Sequence, residues 1–147
     1  MNWIPDKLYT SFLAMMPYCC IDLVIVRDKQ YLLVQRKQEP LKGEWYLPGG
    51  RLFKDESVMM ASIRIANGEV GLNPQFIGDL GYYMGYYDKS PFGFPIHTVS
   101  FVVLMESNRK KVTLDRNHSA YMWTNELSDA HKNILSFIKK VKSEGWI

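Results

Sequence analysis

Apolar and polar positions along the chain fall into two periods, and the change between them marks out the elements. Tyr18 to Val26 (YCCIDLVIV) is β-branched and apolar enough for a buried strand. Arg27 to Gln30 is a polar turn, and Tyr31 to Gln35 returns as a second strand. A loop through Pro40 and Gly43 leads to a short extended piece, Trp45 to Leu47, which Pro48-Gly49-Gly50 stops. From Ser57 to Val70 the period becomes helical, with Val58, Ala61, Ile65 and Ala66 on one face. Asp55 and Glu56 stand at the start of that helix, where carboxylates suit its dipole, and Gly71 ends it. An aromatic extended stretch (Gln75 to Tyr87), a Pro/Gly loop (Ser90 to Pro95) and a strong strand (Thr98 to Met105) follow. A short strand around Tyr121-Met122-Trp123 and a closing amphipathic helix, Leu127 to Val141, complete the pattern. Mixed strands with one internal and one terminal helix indicate an α/β sandwich in a single domain, residues 1–147.

Composition narrows the class. The 147 residues are 47% hydrophobic and 14% aromatic, which suits one folded core and excludes a disordered chain. The two cysteines, Cys19 and Cys20, are adjacent and offer neither a disulfide framework nor zinc-ligand spacing, so they read as reduced core residues. Pro5, Asp6 and Lys7 break the apolar start, and no apolar run reaches membrane-spanning length, so a cytoplasmic protein without a membrane partner is expected. The net charge of +3 is mild, and Arg109-Lys110-Lys111 and Lys139-Lys140 read as solvated faces. A nucleic-acid partner is not expected; a small anionic ligand fits the charge.

The chemistry is concentrated between Pro48 and Leu72, PGGRLFKDESVMMASIRIANGEVGL. A glycine turn leaves backbone groups exposed, and the helix after it presents one stripe, positions 65, 68 and 69, toward a common pocket. Carboxylates on such a stripe would hold hard cations around a diphosphate, because magnesium takes oxygen ligands and keeps company with phosphates. Here Ile65 and Gly68 leave Glu69 alone on the stripe. Read without context, Glu69 is a surface carboxylate and Arg64 its ion-pair partner.

The segment resembles the Nudix box, G-x5-E-x7-R-E-U-x-E-E-x-G-U with U a bulky apolar residue. Gly50, Glu56, Arg64, Glu69, Gly71 and Leu72 match it in register. The resemblance implies the Nudix-type α/β/α sandwich with a mixed β-sheet. Ile65 and Gly68 stand where the family usually has glutamates, which implies one metal ion instead of several and a water-activating base from outside the box.

That loss is similar to one branch of the family, the GDP-mannose mannosyl hydrolases, which cleave between the anomeric carbon and the phosphate oxygen. Asp22, Arg36, Pro40-x-x-Gly43-x-Trp45, Gly49-Gly50-Arg51 and Lys54-Asp55-Glu56 look like that branch. So does Leu114-Asp115-Arg116-Asn117-His118-x-x-Tyr121-x-Trp123, which resembles its loop carrying a catalytic histidine. His118 is thereby the expected general base, in place of an ordinary exposed loop histidine; an unperturbed imidazole accepts a proton at neutral pH. His97 and His131 lack such a context and read as structural.

The same resemblance implies that the Gly49 carbonyl, Glu69 and Asn117 bind one Mg2+, with Mn2+ as a substitute. Asn117 stands in the place of a family glutamine, one methylene shorter, so a bridging water is an alternative to direct coordination. Arg36, Arg51 and Arg64 are expected at the diphosphate or sugar, Arg36 stabilising the leaving group. Asp22 is expected to contact the sugar, to orient that arginine, or to be paired structurally. Trp3 and Tyr9 are expected either to stack on the base or to serve as core or dimer contacts. Phe101 stands where the branch has a tyrosine. A homodimer is implied as well.

Three functions stay open on the residues. The leading one is Mg-dependent hydrolysis of a nucleotide sugar, of the GDP-mannose or GDP-glucose type, to nucleoside diphosphate and free sugar. The others are conventional attack at phosphorus on a nucleoside diphosphate derivative, and a nucleotide-binding module without catalysis.

Overall fold

The computed structural model describes residues 4–147, so Trp3 lies outside the described residues. In chain order the elements are α1 (Asp6–Met15), β1 (Tyr18–Arg27), β2 (Gln30–Arg36), β3 (Trp45–Tyr46), β4 (Gly49–Arg51), α2 (Val58–Val70), β5 (Gln75–Tyr87), β6 (Ile96–Glu106), β7 (His118–Thr124) and α3 (Leu135–Ser143), with a 3₁₀ turn at Leu127–Asp129 before α3.

The strands form one mixed sheet in the order β3-β2-β1-β6-β5, with β4 on β1 and β7 on β2. β1 runs parallel to β6 from Tyr18↔Thr98 to Val26↔Glu106. Its other edge is divided: Cys20–Asp22 pair with Gly49–Arg51, whereas Val26 and Arg27 pair with Tyr31 and Gln30. Asp28 (φ 48°) and Lys29 (φ 62°) make the tight turn of that hairpin, the positive φ matching the twist of the flanking strands. β2 therefore leaves β1 after two pairs, and the glycine turn enters the gap.

Alternation along β1 assigns one core to each face. Ile21, Leu23 and Ile25 join Val103 and Met105 beneath Ala61, Ile65, Ala66 and Val70 of α2. Val24 and Val26 join Val102 and Leu104 beneath Ile138 and Val141 of α3. Each of the larger aliphatic side chains among them contributes about 1.5–3 kcal/mol by leaving water, and the two layers make the expected α/β/α sandwich. No helix among the described residues is long and apolar enough to cross a membrane.

α2 starts one residue after Ser57, whose hydroxyl caps it by accepting from the Met60 N–H at 3.1 Å, and Gly71 closes it with φ 64°. Glu56 is not in its first turn, as expected from the dipole; it turns back to accept from the Phe53 N–H at 2.9 Å. The closing helix is shorter than the expected Leu127–Val141. The Thr124 hydroxyl bonds Asp129 and the His131 ring accepts from the Asn133 N–H, which holds a turn ahead of α3. Nor did the hydropathy pattern mark α1, because its apolar positions Leu8, Phe12 and Met15 face solvent and only Leu13 is buried. Cys19 is exposed and not a core residue, since it stands on the α2 face of β1 beyond the end of the α2 contacts.

The α3-side face of β1 and β6 changes character along its length. Val24, Val26, Val102 and Leu104 are apolar and covered, but Cys20, Asp22, Thr98 and Ser100 line an open cavity. That polar end of the sheet lies beside the glycine turn.

Candidate active site

Two cavities meet at Arg36 and Gly49. The smaller, of about 140 Å³, is walled by Arg36, Gln38, Gly49, Glu69, Asn117 and His118. Residues 80 positions apart in the chain converge there because two loops are tied to the end of α2. The Gly49 N–H donates to Glu69 Oε2 at 3.0 Å, and the Asp115 N–H donates to the Glu69 carbonyl at 3.0 Å.

Gly49 is required by close approach: a Cβ there would collide with the Asp22 carboxylate and would lie 2.8 Å from the Ile21 carbonyl. The Leu23 N–H bonds the Pro48 carbonyl, which makes 23/48 a bonded pair and 22/49 the following non-bonded pair. The N–H and C=O of Gly49 thus point away from β1, toward the Glu69 side. Burial, reinforced by the neighbouring Asp115, pushes the Glu69 carboxyl up to about 8 against the opposing Gly49 N–H.

His118 is not on a loop, as the sequence reading had it; it opens β7 and is buried. A register shift between Gln35 and Arg36 brings it directly opposite Arg36, the extra residue re-aiming the ring. Nδ1 lies 2.7 Å from Asp115 Oδ1. A carboxylate only accepts, so Nδ1 carries the proton and Nε2 is left as the basic nitrogen. Burial lowers the His118 pKa and Asp115 opposes it, which keeps the ring neutral near pH 7. The Asn117 amide nitrogen donates to Asp115 Oδ2 at 3.1 Å, leaving the amide oxygen as its donor to a cation. Arg36 Nε donates to the Pro40 carbonyl at 2.6 Å, which fixes the guanidinium between the two cavities.

The larger cavity, of about 220 Å³, is rich in aromatic and hydroxyl groups, among them Tyr18, Tyr46, Tyr83, Tyr87, Thr98 and Ser100. Asp22 is its buried anion. Tyr83 donates to Asp22 Oδ2 at 2.7 Å and is itself bonded to the Tyr46 hydroxyl at 2.5 Å. Burial pushes the Asp22 carboxyl up to about 6, with the Tyr83 hydroxyl and Arg36 pulling the other way. Tyr9 and Arg51 also line this cavity, and the Tyr9 ring face already carries the Arg51 guanidinium, 4.2 Å from its centroid. Stacking of a base on that same face of Tyr9 therefore requires Arg51 to slide.

Arg64 lines neither cavity. Its guanidinium meets Glu56 at 2.5 and 2.9 Å, bonds the Arg51 carbonyl at 2.7 Å and covers the Phe53 ring at 3.9 Å. The expected substrate contact is replaced by a brace across the loop between β4 and α2, and the fork holds the Glu56 pKa below its ordinary value. Phe101 is on the opposite sheet face, against Tyr82 and the α2 core, so the tyrosine missing there is not missing from the cavity. Sequence reasoning passed over Tyr83, hidden in a run of tyrosines, and Asp115, which stood inside the quoted motif three residues before His118.

No group of three or more His, Cys, Asp or Glu among the described residues is placed to hold a cation. What the small cavity offers is Glu69, the Gly49 carbonyl and the Asn117 amide oxygen, an all-oxygen set that fits one hard ion. A carboxyl held near 8 by burial and a second acid is relieved by a cation, which supports the same fit.

A family model described as NUDIX domain matches residues 20–140. The chain is 38% identical over 87 residues to the low-salt glycan biosynthesis protein Agl8 of Haloferax volcanii, covering 59% of this chain and 56% of that protein. It is 35% identical over 100 residues to an ADP-ribose pyrophosphatase of Methanocaldococcus jannaschii, covering 68% and 56%. The matches thus span a little over half the length of these curated relatives. The fold is similar to a crystal structure of a MutT NUDIX hydrolase from Burkholderia pseudomallei, with TM-score 0.69 and 26% identity over 86% of this chain and 98% of that one. With the glycine turn, the braced loop and the α2 carboxylate all inside the matched region, the chain belongs to the Nudix family.

Proposed function

We propose that this chain hydrolyses a nucleotide sugar, of the GDP-mannose or GDP-glucose type, to a nucleoside diphosphate and the free sugar. The observation that carries the reading is the small cavity, where His118, oriented by Asp115, faces the same space as Glu69. Nε2 of His118 takes a proton from water as the water oxygen bonds the anomeric carbon, and the carbon–oxygen bond to the diphosphate breaks with its electron pair going to the phosphate. Arg36, between the cavities, meets the charge that grows on that phosphate. Glu69, the Gly49 carbonyl and Asn117 would hold one Mg2+, or Mn2+ in its place, which when bound supplies charge that offsets the departing diphosphate. The sugar fits the larger cavity, with Asp22 accepting from its hydroxyls and tyrosine rings beside it. The similarity to a glycan biosynthesis protein supports a sugar-bearing substrate.

A second reading is attack at phosphorus, supported by the similarity to an ADP-ribose pyrophosphatase. Ile65 in the core and Gly68 at an open surface supply none of the extra carboxylates which that chemistry uses in the family. Turnover of GDP-mannose in oxygen-18 water separates the two. Label in the sugar is the expected result; label in the phosphate products overturns the proposal.

A further inference from the structure

The hydroxyl groups around Asp22 can be ordered by counting protons. Each hydroxyl donates once, and a carboxylate only accepts. Tyr83 spends its proton on Asp22 Oδ2, so Tyr46 is the donor in the 2.5 Å contact between the two tyrosine hydroxyls. Ser100 stands directly opposite Tyr83 in the β5–β6 ladder, and its hydroxyl also bonds the Asp22 carboxylate. Thr98 Oγ1 lies 3.5 Å from Ser100 Oγ and by the same count donates to it. Two chains therefore run inward onto β1, Tyr46 to Tyr83 to Asp22 and Thr98 to Ser100 to Asp22.

These chains give one wall of the large cavity a polarity. All five residues line it, and Tyr46, Thr98 and Ser100 are buried, so bulk water has little access to reset their protons. With those protons turned toward Asp22, the wall presents lone pairs. Of the roughly four acceptor sites on a carboxylate, Tyr83 and Ser100 fill two, which leaves about two open. Oδ1 lies toward Gly49, at the mouth of the small cavity. The strong donors of the large cavity, the Arg36 and Arg51 guanidinium groups, are those a diphosphate requires. A sugar hydroxyl supplies the proton this wall lacks. A carboxylate or a fluorine in its place sets lone pairs against lone pairs.

We propose that this wall selects a neutral hexose with free hydroxyls and excludes acidic sugars. Asp22 makes the contact, and Tyr83, Tyr46, Ser100 and Thr98 position its open acceptor sites. The inference rests on the nucleotide-sugar reading and deepens it by naming the class of sugar.

The test is calorimetric binding to the full chain carrying His118→Gln, in Mg2+ at pH 8, so that turnover does not intervene. The probes are GDP, GDP-mannose, GDP-mannuronate and the analogues of GDP-mannose in which fluorine replaces one sugar hydroxyl. The uronate and at least one fluorinated analogue should bind on the order of tenfold or more weaker than GDP-mannose, because a site built to accept from a hydroxyl rejects a ligand without it. Asp22→Asn turns an acceptor into a donor and should erase the preference for GDP-mannose over the uronate. Ser100→Ala should weaken GDP-mannose and leave GDP unchanged. A uronate or a full set of fluorinated analogues that matches GDP-mannose overturns the inference alone. So does a preference that survives Asp22→Asn, or a Ser100→Ala chain that binds GDP-mannose undiminished. GDP binding with no binding of GDP-mannose or any analogue overturns the nucleotide-sugar reading, and the inference with it. If Asp22→Asn does not fold, the uronate and the fluorinated series still decide the matter.

Discussion

The two cavities that share Arg36 and Gly49 are walled in different ways. The larger is made of side chains from regular strands: Cys20 and Asp22 from β1, Thr98 and Ser100 from β6, Tyr83 and Tyr87 from β5. Its shape is set by the sheet, and its one buried carboxyl is held by a tyrosine hydroxyl. The smaller is made where regular structure stops: the glycine turn, the last turn of α2, and the bulge that opens β7. Its groups are tied by bonds between the Gly49 N–H and the Glu69 carboxylate and between the Asp115 carboxylate and the His118 ring, and burial pushes its Glu69 carboxyl up to about 8. A sheet-walled pocket is suited to holding a ligand; a chamber that joins a buried carboxyl to a basic ring nitrogen is suited to acting on one.

Substitutions should separate the two. His118→Gln removes the basic nitrogen from the small cavity and should lower kcat on the order of 10²-fold or more with KM little changed. Asp115→Asn should lower kcat on the order of tenfold, since the charged, acceptor-only partner that fixes the ring's tautomer becomes an amide that can also present its NH2 to Nδ1. Tyr83→Phe acts on the other side of Gly49. It leaves Asp22 short of a donor, about 1–3 kcal/mol for a buried acceptor, and should raise KM with kcat retained. A Tyr83→Phe variant that loses kcat and keeps KM would mean the cavities do not divide the work in this way.

A smaller effect concerns cation and pH. The Glu69 carboxyl is raised from 4.5 to about 8 in the folded chain, so folding takes up a proton between those values. Its contribution to stability is present in full below about 4.5 and is lost as pH rises through about 8. Melting of the chain without cation should therefore fall across that window. Added Mg2+ should raise the melting temperature more at pH 8.5 than at pH 6, where it must displace the proton. Glu69→Gln should remove both the pH slope and the cation shift. The smallest effect is Arg64→Lys. With the guanidinium fork spent on Glu56 and the Arg51 carbonyl, the change should lower stability by about 1 kcal/mol and leave KM alone. A large rise in KM would return Arg64 to the substrate.

What the sequence disclosed follows the same division. The strands of the sheet were legible because alternation on β1 and β6 reports two buried faces, and α2 was legible because Ala61, Ile65 and Ala66 repeat at helical spacing against one of them. α1 was not legible, since a helix whose apolar side faces solvent has no core to match. The convergence of Glu69 with His118 was legible only through resemblance. Nothing in local periodicity tells that the Asp115 N–H will bond the Glu69 carbonyl 46 positions earlier. Arg64 was misassigned because a motif marks a residue as important without saying whether it touches ligand or holds a loop. Tyr83 was missed because six tyrosines, four between 82 and 87 and one each at 46 and 18, look alike until the sheet sorts them by face.

The central claim is that the α2 carboxylate and the β7 imidazole share one cation chamber, and Mn2+ titration followed by proton NMR of the three histidine rings tests it most directly. Broadening of the His118 ring signals at low Mn2+, with those of His97 and His131 spared and the effect abolished in Glu69→Gln, is the expected outcome. Equal broadening of all three rings, or loss of the His118 signals that persists without Glu69, would contradict it.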